Sequence, residues 1–186
     1  MDQLAMDLRT IDEGQRLIIG IAVPYDETTY RVPGGERVIR GAFRRSIQHK
    51  GGKIPLACAH DPSMVMGWSQ EWEETAEGLQ GTFRVNDGDK GSQLLEDVRN
   101  GYYPSMSVGF EGTRNGVHRA ADGVREVREA KLVEVSLCGI PAYEGAAVLS
   151  VRTAQDLDSL LAPFQNIPQW DLDPLPPLVY RPQRNR

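Results

Sequence analysis

Leu79-Gln80-Gly81-Thr82-Phe83-Arg84-Val85 alternates apolar with other residues, the period of a strand with one buried face. On its N-terminal side, Ile54–Ala59 and Val65–Glu73 predict two more strands, separated by a turn at Asp61-Pro62. Earlier still, the β-branched-rich run Leu17–Val23 stops at Pro24 and Asp26 and predicts a buried strand, with a shorter one at Glu36–Arg40. Between them and the central strands, Phe43 and Ile47 lie four apart, as on one face of a short helix. On the C-terminal side, Asn86-Asp87-Gly88-Asp89 reads as a turn into a helix over Lys90–Arg99, with Leu94, Leu95 and Val98 as its apolar stripe and Gly101 as its stop. Strands near Ser105–Glu111 and Glu126–Gly139 follow, joined by a turn-rich loop holding Asn115-Gly116 and Asp122-Gly123. Many short strands with two modest helices predict an α+β class domain, β-rich and barrel-like, over residues 1–150.

The remainder, 151–186, changes character. Ala154–Leu161 predicts a short helix, with Leu157, Leu160 and Leu161 on one face. Beyond it, Pro163, Pro168, Pro174, Pro176, Pro177 and Pro182 exclude a continued helix or a central strand. Prolines this dense predict an extended tail.

Composition narrows the function classes. The net charge of -5 over 186 residues argues against a general nucleic-acid binder, which would carry a basic patch. No apolar run reaches the length that crosses a bilayer, and MDQLAMDLRT lacks the layout of a secretory signal. The two cysteines, Cys58 and Cys138, lie in apolar runs, which suits buried thiols in a reducing compartment. There is no Cys-x-x-Cys, no His-x-x-x-His and no phosphate-cradling glycine loop, so the expectation is a site without metal or cofactor.

Three separated segments carry side chains capable of chemistry. In Ser105-Met106-Ser107-Val108-Gly109-Phe110, alternation puts Ser105, Ser107 and Gly109 on one face and the apolar residues on the other, which leaves a small polar face open. Tyr103 stands where the Gly-x-Ser-x-Gly elbow would need its first glycine. His60 ends an apolar strand and is the best placed of three histidines to act as a base. Glu134 lies among Leu132, Val133, Val135 and Leu137, where a carboxylate must be paired or solvated. Serine, histidine and carboxylate together form the parts of an acyl-transfer site. Each also has a structural explanation: a half-exposed strand for the serines, a turn cap for His60, an ion pair to arginine for Glu134. Cys58, two residues before His60 on the same strand face, is a second candidate nucleophile, but its apolar neighbours favour an inert thiol.

In order along the chain, Gly20–Asp26, Glu36–Phe43, Pro55-Leu56 with His60-Asp61 and Gly67, Met106–Phe110, and Leu132–Leu137 with Pro141-Ala142-Tyr143 and Ala146 resemble the prohead maturation proteases of tailed bacteriophages. That family is akin in fold to the herpesvirus assemblin proteases. The resemblance spans about Gly20 to Val148. It implies a serine endopeptidase that trims scaffold or major capsid protein inside the assembling procapsid, in the host cytoplasm. It puts the nucleophile on Ser107, the histidine on His60 and the third member on Glu134, with Ser105 as the fallback nucleophile. Herpesvirus relatives use a second histidine in the third place and arginines near the oxyanion. No matching arginine pair follows Pro141 here, so the oxyanion donors stay unassigned. A homodimer or higher oligomer is implied, and the proline-rich tail would be self-processed or tether the protein to scaffold. An inactive protease-like assembly factor and a small β-barrel binding module are the competing expectations, the latter requiring His60 and Glu134 to lie far apart.

Overall fold

The computed structural model describes residues 15–152. The helix expected at Ala154–Leu161 and the proline-rich tail lie outside the described residues. Seven strands form one sheet in the order β11-β1-β6-β5-β4-β10-β7: β1 (Leu17–Pro24), β4 (Pro55–Cys58), β5 (Asp61–Glu74), β6 (Gly78–Val85), β7 (Ser105–Gly112), β10 (Ala130–Cys138) and β11 (Val148–Arg152). A four-stranded sheet holds β2 (Thr28–Thr29), β3 (Glu36–Val38), β9 (Arg125–Val127) and β8 (Val117–Arg119), in that order. Two helices accompany them, α1 (Arg44–His49) and α2 (Asp89–Arg99). Among these residues no helix is long and apolar enough to cross a membrane.

The large sheet curls into a half-barrel. β1 comes round against β7, so that a side chain on Gly20 would strike Met106 and the Ala147 carbonyl, and Val148 N–H donates to the Pro104 carbonyl at 2.9 Å. The curl encloses Ile18, Ile54, Leu56, Phe83, Met106, Leu132 and Leu137, all fully buried. Phe83 meets Trp72 edge-on at 5.4 Å, and Phe43 at the start of α1 meets Phe110 of β7 at 5.5 Å. On α2, Leu94, Leu95 and Val98 are the buried stripe, and Gly101 ends the helix region at φ 80°.

Two expectations need correction. Glu126–Gly139 is not one strand: it divides into β9 and β10, which belong to different sheets. The break falls at Arg128-Glu129, whose amides bond to the Gly116 carbonyl instead of to a neighbouring strand. The turn after β4 is not at Asp61-Pro62 either. Cys58 pairs with Asp61, so the two-residue connection is Ala59-His60, and both residues have positive φ (51° and 59°). Tight hairpins of this kind need left-handed backbone because it matches the strand twist, and they ordinarily use Asn or Gly. Each non-glycine residue held there costs on the order of 1 kcal/mol.

β10 runs between β4, with which it pairs in parallel, and β7, with which it pairs antiparallel. It leads into a loop that is firmly tied. The Glu27 carboxylate accepts from the amides of Glu144 (2.7 Å) and Gly145 (3.0 Å), and Tyr143 donates its hydroxyl to buried Glu36 at 3.1 Å. Burial and the Glu36 charge push the Tyr143 hydroxyl above its ordinary range.

Candidate active site

The β7–β10 register builds the site. Ser107 is the cross-strand partner of Ser136, and Gly109 that of Glu134. Directly opposed residues share a face, so Ser107, Gly109, Glu134 and Ser136 lie together on the side away from Met106, Val135 and Leu137. A regular strand would put Glu134 on the face of Leu132. A β-bulge between Leu132 and Glu134 prevents this, because Val133 is the extra residue. Leu132 and Val135 therefore both reach the core at 0% exposure, while Glu134 joins Ser136 on the other face.

The Ala59-His60 turn folds over that face. His60 N–H donates to Ser136 Oγ at 3.0 Å, and Ser136 Oγ donates to Glu134 Oε2 at 2.7 Å. The second carboxylate oxygen, Oε1, lies 2.6 Å from His60 Nδ1. A carboxylate only accepts, so Nδ1 carries a proton, and in the neutral imidazole the free lone pair is the one on Nε2. Ser136 thus locks both the backbone and the side-chain partner of the histidine. The left-handed backbone at positions 59 and 60 is maintained by these bonds together with Ala59 N–H to the Leu137 carbonyl, 3.0 Å.

Of the three residues singled out in the sequence, His60 and Glu134 are hydrogen-bonded to each other. Ser107 is one strand over, beside Ser136. Its hydroxyl has no hydrogen-bond partner among the described residues. The face is also less open than alternation suggests, with Ser107 only 6% exposed and Ser136 0%. The His60 ring itself is accessible, its side chain 47% exposed. Cys58 is not on the side of His60. It pairs with Leu137 and belongs to the core, because the chain reverses between residues 58 and 61. Burial pushes its thiol up to about 11, which suits an inert side chain. Cys138, likewise free and buried, has its thiol raised by burial.

Two contributors were not found by reading side-chain chemistry. Ser136 has nothing in the sequence to distinguish it from any polar residue of a strand. Gly109 contributes by having no side chain, since a methyl there would run into Glu134 Oε1, Cδ and Cγ. Gly109→Ala is expected to push the carboxylate off His60 and to cut reaction with a serine-directed fluorophosphonate by up to about a hundredfold. The crowding is expected to cost about 1–3 kcal/mol in thermal stability. Labelling rate and melting temperature, measured together, check this; wild-type labelling in the variant would show that the carboxylate has room to move.

With this geometry in view, the likeness to known proteins is informative. Residues 4–159 match the profile of the caudovirus prohead serine proteases. The prohead protease of Enterobacteria phage HK97 is 22% identical over 156 residues, which span 81% of this chain and 67% of that protein. Among solved structures, the capsid assembly protease of bacteriophage T4 superposes with a TM-score of 0.50 at 17% identity, covering 66% of this chain and 80% of that one. That likeness shows a shared fold. The varicella-zoster virus protease is a looser match, with a TM-score of 0.43 at 18% identity over 71% of this chain and 62% of that one. Since the profile spans most of the sequence, the chain belongs to the caudovirus prohead serine protease family, the peptidases of phage capsid maturation.

Proposed function

We propose that the protein is a serine endopeptidase in which Ser107 is the nucleophile, His60 the general base and Glu134 the group that orients the base. The observation that carries this reading is the 2.6 Å contact between His60 Nδ1 and Glu134 Oε1, which fixes the proton of the neutral imidazole on Nδ1 and leaves Nε2 as the nitrogen that can accept one. The serine of the adjacent strand supplies that proton. In the proposed reaction the Ser107 proton passes to His60 Nε2 as Oγ attacks the scissile carbonyl carbon. Backbone N–H groups stabilise the tetrahedral oxyanion. The imidazolium then protonates the leaving amine, and water, activated by the same imidazole, releases the acyl group from Ser107. Hydrogen bonds of this kind are often unmade in the free enzyme and tighten around bound substrate, so the unbonded Ser107 hydroxyl is compatible with the role.

The substrates in this reading are segments of the scaffold or major capsid protein, cut inside the immature capsid in the host cytoplasm. The enzyme acts there as a homodimer or larger assembly. Fluorophosphonate labelling of assembled protein followed by peptide mapping tests the nucleophile. The expected adduct is on Ser107. An adduct on Ser105 moves the nucleophile by two residues, and no adduct in assembled material favours the competing reading, a protease-like assembly factor without chemistry, which the unbonded Ser107 hydroxyl also suits.

A further inference from the structure

The edge of β10 that faces β4 changes partner along its length. Val135, Ser136 and Leu137 pair in parallel with Leu56, Ala57 and Cys58. Before Val135 that pairing has stopped, yet Leu132 is fully buried, and its amide and carbonyl must still find partners. Ser46 of α1 and Lys50, the residue that caps its C-terminus, provide them. Ser46 Oγ accepts from Leu132 N–H at 2.9 Å, and Lys50 Nζ donates to the Leu132 carbonyl at 2.8 Å. The same ammonium lies 3.4 Å from the carbonyl of Val133, the bulge residue. Ser46 and Lys50 are four apart, and the Lys50 amide donates to the Ser46 carbonyl at 3.1 Å, so the last turn of the helix stacks the two side chains toward one point of β10.

We propose that Ser46 and Lys50 are positioning residues: by holding Leu132 and Val133 they fix the bulge and thereby keep Glu134 against His60. This rests on the assignment of His60 and Glu134 made above. The physical reason is that a bulge competes with a regular strand, and losing it reverses the facing of every residue on one side of the slip. Without the bulge, the position opposite Gly109 passes from Glu134 to its neighbour. The clamp opposes that slip because each backbone group it bonds would be left unpaired. Partial burial, aided by the nearby Lys131 charge, holds the Lys50 ammonium below the ordinary lysine range, so the carbonyls offset a real desolvation cost. α1 is itself anchored where it meets the large sheet: the Gly52 carbonyl after it accepts from Trp72 Nε1 at 3.0 Å and from Ser69 Oγ at 2.5 Å.

Lys50→Met keeps the length of the side chain and removes the donor; Lys50→Arg keeps a donor. In the full-length protein, Lys50→Met is expected to slow phosphonylation of Ser107 by about ten- to a hundredfold, and Lys50→Arg to restore most of the rate. The far-downfield proton signal of the His60 Nδ1–H to Glu134 bond should weaken or vanish in Lys50→Met and return in Lys50→Arg. Ser46→Ala is expected to act in the same direction. Wild-type labelling and an intact downfield signal in folded Lys50→Met overturn the positioning role, even if its melting temperature falls. Running His60→Ala alongside separates the two ideas. If His60→Ala is inert while Lys50→Met is normal, only the clamp is refuted; if His60→Ala labels normally, the site assignment beneath it fails as well.

Discussion

Ser107→Ala is expected to lower cleavage of the capsid or scaffold substrate by on the order of 10⁶-fold in kcat, the scale on which loss of a nucleophile from a cooperating serine, histidine and carboxylate set is felt. Stability should change by no more than about 1 kcal/mol, because the buried hydroxyl that is removed has no hydrogen bond to lose among the described residues. The reason is visible in the hydrogen bonding: no group among the described residues bonds to the Ser107 hydroxyl, so its removal strands no partner. His60→Ala should be comparably inactive, and the double variant no worse than either single one, because the two groups serve one step of the proposed reaction. The measurements are peptide release from purified substrate protein and a thermal melt of each variant. Retention of more than about 1% of wild-type turnover in Ser107→Ala would remove that residue from the chemistry, and loss of activity in Ser105→Ala alone would reassign it.

Glu134→Gln is expected to be nearly as damaging, about 10⁴-fold, although it changes one atom and no volume. Ser136 explains why. Its Oγ accepts from His60 N–H, so its own proton is directed at the Oε2 position. In the amide variant the carbonyl oxygen must occupy that position to keep the Ser136 bond, which places the NH₂ group against His60 Nδ1. A donor there forces Nδ1 to accept and moves the ring proton to Nε2, the nitrogen that takes the Ser107 proton in the proposed reaction. The base is then blocked by its tautomer, with the architecture intact. Nitrogen-15 NMR of the His60 ring distinguishes the two tautomers directly. A variant that keeps the proton on Nδ1 and cleaves at the wild-type rate would contradict the role given to Glu134.

How much of this was legible in the sequence depends on whether the signal is local. β1, β6, β7 and α2 follow from periodicity, and their apolar faces are the buried ones, as with Leu94, Leu95 and Val98 of α2. The pairing of His60 with Glu134 was suggested by chemistry: a carboxylate amid valines and leucines needs a partner, and here the partner is a histidine 74 positions away. Three features were not legible. Asp61-Pro62 carries stronger turn residues than Ala59-His60, but the tertiary bonds from Leu137 and Ser136 hold the turn at the less favourable pair. The bulge at Val133 leaves no trace in composition, because Leu132-Val133 looks like two ordinary strand residues. It depends on Ser46 and Lys50, which sit in a different element. Gly109 reads as a small residue in a strand until Glu134 is seen opposite it, since the constraint belongs to the neighbour's carboxylate.

The separation between His60 and Glu134 bears on when the protein can act. His60 lies at a hairpin made early in synthesis, whereas the carboxylate that orients it arrives 74 residues later, on a strand inserted between β4 and β7. A chain that has reached β7 holds both the imidazole and the serine but not yet the carboxylate, and closing so long a loop requires most of the half-barrel to have formed. A partial chain that stops short of β10 is therefore expected to hold His60 without its carboxylate partner, however much of the preceding sheet has formed.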